Sequence, residues 1–150
     1  SSRSSAGGNV TTTAQLRGRY THDRDQHFDK FLEAQGVNWV LRTVATNTKP
    51  DMEVNVIGDK WTLITHVAIK TLTWHFRIGK EAVIRGPDGT DQQAIFLLHG
   101  NTLVQENIGG VASNVKVERH FTKKGMEQVM THLPSNTVGI RFFKRETTTY

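Results

Sequence analysis

The chain has 150 residues, with 19 Lys and Arg against 14 Asp and Glu for a formal net charge of +5, and it has no Cys. This length favours a single domain, and the absence of cysteine excludes a disulfide scaffold, a cysteine nucleophile and a thiolate zinc site. The longest apolar run, residues 94–98, is far too short to span a bilayer, so we predict a soluble protein, and the lack of cysteine fits a reducing, cytoplasmic setting. The apolar fraction of 36% is low, which indicates abundant loop or an interior that is not solid hydrocarbon.

Both ends of the chain differ in composition from its middle. Residues 1–15 carry one charge and an excess of Ser, Thr and Gly, so we predict a disordered tail there and at residues 146–150, with one domain at 16–145.

Between residues 27 and 47, apolar side chains recur at spacings of three and four. This period predicts two short amphipathic helices that are separated near Gly36.

After Pro50 the apolar period changes to two. Met52, Val54 and Val56 alternate with polar neighbours, which is typical of a strand with one face toward solvent. Turn residues then recur at intervals of roughly eight to twelve residues toward the C-terminus. Because a meander of many short strands removes its exposed edges by closing on itself, we predict an all-β, antiparallel up-and-down barrel.

The sequence contains no recognisable catalytic motif. Its seven histidines form no metal-ligand pattern and most occupy polar alternation positions, so we predict that most are surface side chains. It has neither a glycine-rich phosphate loop nor a serine nucleophile elbow. Trp39, Trp61 and Trp74 fall on apolar periodic faces, which argues against a nucleic-acid surface built from exposed aromatics. We therefore predict a binding protein that is not an enzyme and uses no cofactor or metal.

Two arginines interrupt apolar segments near the C-terminus. Arg119 falls in phase with Val115, Val117 and Phe121, so alternation places it on the apolar face. Arg141 lies in an unbroken apolar run, which leaves its direction undecided. A buried arginine is costly unless an anion or many hydrogen-bond acceptors meet it. Two arginines inside a barrel would form a receptor for a carboxylate, whereas in the alternative reading either one faces solvent.

Several motifs follow one another in a recognisable order. The pattern Gly, any residue, aromatic at residues 18–20 precedes His-Phe-Asp-Lys-Phe-Leu at residues 27–32. Further matching segments are residues 36–42, 48–50, 58–62, 76–81 and 103–105. In this order and spacing the chain resembles the intracellular lipid-binding protein family, which comprises the fatty-acid-binding and cellular retinoid-binding proteins. The resemblance implies a ten-stranded antiparallel barrel capped by a helix-turn-helix lid.

The resemblance also implies a ligand site. Many members of that family hold a carboxylate with two arginines and a tyrosine on the last strands. By position, Arg119 and Arg141 match the two arginines, whereas Phe143 stands at the tyrosine position and cannot donate a hydrogen bond. Gln128 or ordered water would complete the set. The chain departs from the family at His22, where an apolar residue is usual. The residues expected around the ligand are Phe28, Phe31, Leu32, Val37, Leu41, Thr65, Ile69, Trp74, Phe76, Gln128 and Met130.

The function implied by the resemblance is that of a non-enzymatic carrier. It would bind a long-chain fatty acid in an internal cavity, and a retinoid or another hydrophobic anion is the alternative. The entry portal is expected between the second helix and the turns at residues 67–70 and 86–89. We expect a monomer without a nucleic-acid partner. Lys30, Arg42 and Lys49, near the helical cap, are candidates for transient contact with anionic membranes.

Overall fold

A computed structural model of the chain describes residues 16–146, so the predicted tails, apart from Glu146, lie outside the described residues. Within this range the chain forms ten β-strands, two α-helices and a short 3₁₀ helix at Val111–Asn114. The helices are α1 (Phe28–Ala34) and α2 (Trp39–Asn47), which together form the helical lid. The strands are β1 (Gly18–Gln26), β2 (Asp51–Ile57), β3 (Lys60–Val67), β4 (Lys70–Arg77), β5 (Glu81–Arg85), β6 (Asp91–His99), β7 (Thr102–Ile108), β8 (Val115–Phe121), β9 (Gly125–His132) and β10 (Thr137–Arg145).

The ten strands form one antiparallel sheet, in which the first and last strands of the chain, β1 and β10, pair with each other. Its order is β4, β3, β2, β1, β10, β9, β8, β7, β6, β5, so β1 pairs with both β2 and β10. The remaining opening lies between β4 and β5, where the indole Nε1 of Trp74 donates to the carbonyl of Arg85 at 2.8 Å. The predicted ten-stranded up-and-down barrel with a helical lid is therefore confirmed.

The alternation predicted after Pro50 is confirmed on β2. Met52, Val54 and Val56 are all buried, whereas Asn55 between two of them is exposed. On the neighbouring strand, Trp61 pairs in register with Val56 and is also buried. Register is held in this way because a slip of one residue would turn the apolar side chains toward solvent.

The two helices of the lid are buried to different extents. Helix α1 buries Phe28 and Phe31 against β10, where a Cβ at Gly139 would lie 2.8 Å from the Cβ of Phe31. A glycine is thus required for the close approach of helix and strand. Helix α2 buries no residue, although the side chain of Asn38 caps it by accepting from the backbone N–H of Leu41 at 3.0 Å. Within residues 16–146, no helix combines the length and apolar content needed to cross a bilayer.

Two apolar clusters fill the inner side of the barrel. The lid cluster consists of Phe28, Phe31, Val117 and Met130, with Leu32, Ala45 and Val115 packed against it. The barrel cluster consists of Leu16, Tyr20, Met52, Val54, Val56, Trp61, Leu63, Phe76, Ile84, Ala94, Phe96, Leu103, Phe121, Met126 and Phe143. One polar residue separates the two clusters on each of two strands, Arg119 on β8 and Gln128 on β9. Both residues belong to the candidate site.

Glu146, which was predicted to begin the C-terminal tail, is hydrogen-bonded to the barrel. Its backbone N–H donates to the carbonyl of Arg19 at 2.9 Å, and its carboxylate lies 3.2 Å from the Nε of Arg19. The residue therefore contacts β1 directly after the end of β10.

Candidate ligand-binding site

A row of three polar side chains crosses the inner face of strands β8, β9 and β10. Arg119 pairs in register with Gln128, and Gln128 pairs in register with Arg141. Directly opposed residues in antiparallel strands point to the same face, so these three side chains form one row, hereafter the polar row. Arg119 is 4% exposed and Arg141 is 7% exposed, which settles the direction of Arg141 that the sequence left open.

Arg119 is surrounded by neutral groups. Its Nη1 donates to Oε1 of Gln105 at 2.9 Å and its Nε donates to Oε1 of Gln128 at 3.2 Å. Its Cζ lies 5.7 Å from the ring centre of Trp74. No acidic side chain between residues 16 and 146 forms an ion pair with it, and burial lowers its pKa to about 10. Arg119 is therefore a buried cation, still charged at neutral pH, that lacks an anionic partner within this range.

The amides around Arg119 are oriented by their own neighbours. Nε2 of Gln105 donates to Oδ1 of Asn107 at 2.9 Å, and Nδ2 of Asn107 donates to the carbonyl of Ala112 at 3.2 Å. With its N–H₂ group held in this way, Gln105 presents its oxygen to the guanidinium. Gln105 was not among the predicted site residues. Gln105 is 4% exposed on β7, the strand next to the one that carries Arg119. The burial of its amide identifies it as a site residue, and this burial is visible only in the structure.

A β-bulge on β1 shapes the surroundings of Arg141. His22 pairs with Phe143, but the register then shifts, so that Arg24 pairs with Phe142 and Asp25 pairs with Arg141. The extra residue, Asp23, changes the phase of the strand, as bulges do. His22 and Asp25 consequently both lie on the inner side, although they are three residues apart.

Arg141, unlike Arg119, has an acidic partner. Its Nε lies 2.9 Å from Oδ1 of Asp25, and its Nη2 lies 3.3 Å from Oδ2 of the same carboxylate. Nη2 also donates to the carbonyl of Thr48 at 2.7 Å, directly after α2, and Cζ lies 4.2 Å from the ring centre of Phe28. Arg141 thus connects β10 with β1 and with both ends of the helical lid, and its charge is compensated by Asp25.

The side chain of His22 is buried, so this histidine is an exception to the surface positions predicted for most of the seven. Its side chain is 5% exposed, and its ring packs edge-on against Phe143 with the ring centres 5.7 Å apart. Nε2 lies 2.7 Å from Oδ1 of Asp25 and 3.5 Å from Nη2 of Arg141. Nδ1 has no hydrogen-bond partner among residues 16–146. In the same range, no group of three or more His, Cys, Asp or Glu side chains is placed to hold a metal ion.

Most predicted lining residues lie in or beside the two apolar clusters. Phe28, Phe31 and Met130 belong to the lid cluster, and Leu32 packs against it. Phe76 and Phe143 belong to the barrel cluster, and Trp74 packs against it. Val37 and Thr65 are half-buried. These positions place them on both sides of the polar row.

Two predicted lining residues do not face the interior. Ile69 is 93% exposed because it stands in the turn between β3 and β4, and Leu41 is 56% exposed because α2 packs none of its side chains fully. Trp39, also on α2, is 69% exposed, although its apolar periodicity predicted a packed face. Trp39, Val40, Leu41 and Val44 form an exposed apolar face of α2, hereafter the α2 face.

The cations near the α2 face differ in their availability. Lys30 and Lys49 are exposed. Arg42 instead ties the two helices together, with its Nε 2.9 Å from Oδ1 of Asp29 and its Nη1 donating to the carbonyl of Val37 at 2.8 Å. Of the three predicted membrane-contacting cations, Arg42 is therefore already engaged within the lid.

The chain is similar to known proteins over most of its length. No protein-family model matches it. A fatty acid-binding protein of Tyrophagus putrescentiae is 33% identical over 133 residues, which cover 88% of this chain and 98% of that protein. A fatty acid-binding protein of Lepidoglyphus destructor is 32% identical with the same coverage. The crystal structure of a brain fatty acid-binding protein of Drosophila melanogaster has 30% identity and a TM-score of 0.72, and the match covers 84% of this chain and 95% of that one.

Proposed function

The chain belongs to the fatty-acid-binding protein family, whose members are lipid carriers and not enzymes, and on this premise we propose that it carries a long-chain fatty acid. The ligand would lie on the inner side of the barrel, with its carboxylate at the polar row and its acyl chain among the apolar clusters. Each methylene removed from water contributes about 0.8 kcal/mol to binding, so the acyl chain supplies most of the affinity.

The observation that carries this proposal is the uncompensated charge of Arg119. A guanidinium buried among amides has lost most of its hydration and gains only neutral acceptors in return. A carboxylate that replaces or joins these acceptors forms charge-assisted hydrogen bonds, each contributing roughly 1.5 to 3 kcal/mol. Arg119 is therefore the group in the polar row that benefits most from an anionic ligand.

Arg141 has a different part in the proposed site. The family resemblance assigns it to the carboxylate together with Arg119. Asp25 already occupies the Nε and Nη2 edge of its guanidinium, and the carbonyl of Thr48 also accepts from Nη2, so we propose that Arg141 contributes less to charge recognition and more to holding the lid over the site. Phe143 donates no hydrogen bond, which leaves the guanidinium of Arg119 as the main polar contact of the carboxylate.

A titration of delipidated protein tests the proposed function. We expect isothermal titration calorimetry with oleic acid to show one saturable site per chain. Native mass spectrometry of gently purified protein should show a monomer with at most one bound lipid, and retinoic acid in a competition assay should displace oleic acid only weakly. Folded protein that shows no saturable binding of oleic acid would contradict the proposal. Stronger binding of retinoic acid would favour the retinoid alternative.

We also propose that the α2 face contacts membranes during ligand transfer. The face exposes Trp39 and Val44, and the exposed cations Lys30 and Lys49 lie on the lid and directly after it. Apolar side chains with nearby cations are attracted to the boundary of an anionic bilayer, where each cation contributes about 1 kcal/mol. The cytoplasmic location remains a prediction that accompanies this proposal.

Transfer of a fluorescent fatty acid to vesicles tests the membrane contact. We expect the rate to rise with the content of anionic lipid and to fall with salt. The double variant Lys30→Gln/Lys49→Gln should lose most of this dependence, whereas Lys123→Gln/Lys124→Gln, in the turn before β9, serves as a charge-matched control. A rate that ignores lipid charge in every variant would show that the acid transfers through water.

A further inference from the structure

We infer that the ligand of this carrier is a hydroxylated fatty acid, and that the hydroxyl group donates a hydrogen bond to Nδ1 of His22. This inference rests on the proposed function, because it assigns the ligand class of the same interior site. Its basis is an oriented, buried histidine with one ring nitrogen paired and the other unpaired within residues 16–146.

The partner of Nε2 determines what Nδ1 can bind. A carboxylate is only an acceptor, and Oδ1 of Asp25 lies 2.7 Å from Nε2, so the hydrogen of the neutral ring resides on Nε2. Nη2 of Arg141 lies farther away, at 3.5 Å. The lone pair is then on Nδ1, which makes this atom an acceptor. A hydroxyl group can donate to it, whereas a keto or ether oxygen cannot.

The surroundings of Nδ1 favour a donor carried on a hydrocarbon chain. The side chain of His22 is 5% exposed, and its ring packs edge-on against Phe143 of the barrel cluster. A buried acceptor without a partner costs about as much as a lost hydrogen bond, so a matching donor gains correspondingly. Apolar contacts beside a single acceptor suit one hydroxyl group on an otherwise apolar acyl chain.

His22 lies beside the polar row. Strands β9 and β10 separate β8, which carries Arg119, from β1, which carries His22, but Nε2 of His22 lies 3.5 Å from Nη2 of Arg141. Inward side chains converge across a barrel, so the spacing of the strands along the wall does not determine where the hydroxyl group lies on the acyl chain. That position follows from which hydroxylated isomer binds best.

Two substitutions of His22 distinguish its ring nitrogens. In His22→Gln, the amide nitrogen can replace Nε2 as the donor to Asp25, but nothing replaces Nδ1. In His22→Asn, the shorter amide lies near the position of Nδ1 and does not reach Asp25. Affinities of both variants and the parent protein are measured by calorimetry for oleic acid and for a series of monohydroxylated oleic acids, including ricinoleic acid, that differ only in the position of the hydroxyl group. Thermal unfolding of each variant shows that it is folded.

For the best-matching isomer, we expect His22→Gln to weaken binding of the hydroxylated acid by about 2- to 10-fold, while binding of oleic acid changes by less than about twofold. His22→Asn should retain most of the preference for that isomer. If oleic acid binds, and the ratio of the affinities for hydroxylated and plain acid is the same in the parent and in His22→Gln for every isomer, the inference is overturned. In that case a buried water satisfies Nδ1. If the folded parent binds neither oleic acid nor any isomer, the proposed function fails as well.

Discussion

Arg119 and Arg141 lie on either side of Gln128 and are buried to a similar extent, but their surroundings differ in charge. Arg119 faces the amide oxygens of Gln105 and Gln128, whereas Arg141 faces the carboxylate of Asp25. The β-bulge in β1 causes this difference, because it turns an acidic residue inward beside only one of the two arginines. The comparison shows that burial of an arginine does not by itself mark an anion site. The missing counter-charge distinguishes the candidate receptor from the structural ion pair.

The largest expected effect follows from breaking the ion pair. Arg141→Met should lower the free energy of unfolding by about 3 to 5 kcal/mol, because Asp25 and the carbonyl of Thr48 lose their buried partner. Chemical denaturation of the delipidated protein measures this loss. The double variant Asp25→Leu/Arg141→Met leaves no lone charge and should recover most of the stability. If Arg141→Met alone were as stable as the parent, the assigned structural role would be wrong.

The same substitution at the other arginine, Arg119→Met, should weaken ligand binding and leave stability almost unchanged. Arg119→Met removes the desolvation cost of a buried cation along with two hydrogen bonds to neutral oxygens, so the free energy of unfolding should change by less than about 1 kcal/mol. Affinity for oleic acid should fall by about 10- to 100-fold, which corresponds to one charge-assisted hydrogen bond. Calorimetry and denaturation on the same preparation check both values. A large loss of stability with unchanged affinity would reverse the roles of the two arginines.

Alkaline titration tests the role of the Arg119 charge in a second way. Burial lowers the pKa of Arg119 to about 10, so above this pH the ligand-free protein loses the charge that attracts a carboxylate. Affinity for oleic acid should therefore be constant up to about pH 9 and should fall above the pKa until it reaches the level of Arg119→Met, about 10- to 100-fold lower. Burial raises the pKa of Tyr20 to about 12, so its phenol stays neutral in this window. Arg119→Met should show no such decline, and an equal decline in this variant would assign it to another group.

The smallest expected effect concerns the neutral acceptor of Arg119. Gln105→Leu leaves Nη1 of the buried guanidinium without its amide partner, which destabilises the ligand-free protein. A bound carboxylate supplies the missing acceptor, so affinity for oleic acid should rise by about 2- to 5-fold while stability falls by about 1 kcal/mol. Calorimetry combined with thermal unfolding measures both changes. A decrease in affinity would instead show that Gln105 contacts the ligand directly.

The sequence predicted Arg119 well and the surroundings of Arg141 poorly, for one physical reason. Alternation with Val117 and Phe121 is unbroken on β8, so the inward direction of Arg119 followed from its position. The bulge on β1 involves no glycine or proline, and strict alternation there places Asp25 opposite to His22. Its inward turn depends on pairing with β10, a strand more than a hundred residues away, as the Arg141 to Asp25 bond shows.

The family motifs predicted the barrel and the lid, because apolar periodicity and turn residues are local signals. They did not predict which apolar side chains of α2 would pack. Leu41 and Trp39 belong to an apolar periodic pattern, but the register of a short helix against a barrel depends on contacts such as that between Phe31 and Gly139. Such contacts depend on the tertiary arrangement and leave no mark in the helix sequence itself.

The most direct test of carboxylate recognition by Arg119 compares oleic acid with oleyl alcohol, which has the same chain without the charge. The ratio of the two affinities is measured by calorimetry in the parent protein, in Arg119→Met and in the double variant Asp25→Leu/Arg141→Met. We expect a preference for the acid of about tenfold or more in the parent, its loss in Arg119→Met and its retention in the double variant. Retention in Arg119→Met, or loss in the double variant alone, would contradict the claim that Arg119 recognises the carboxylate.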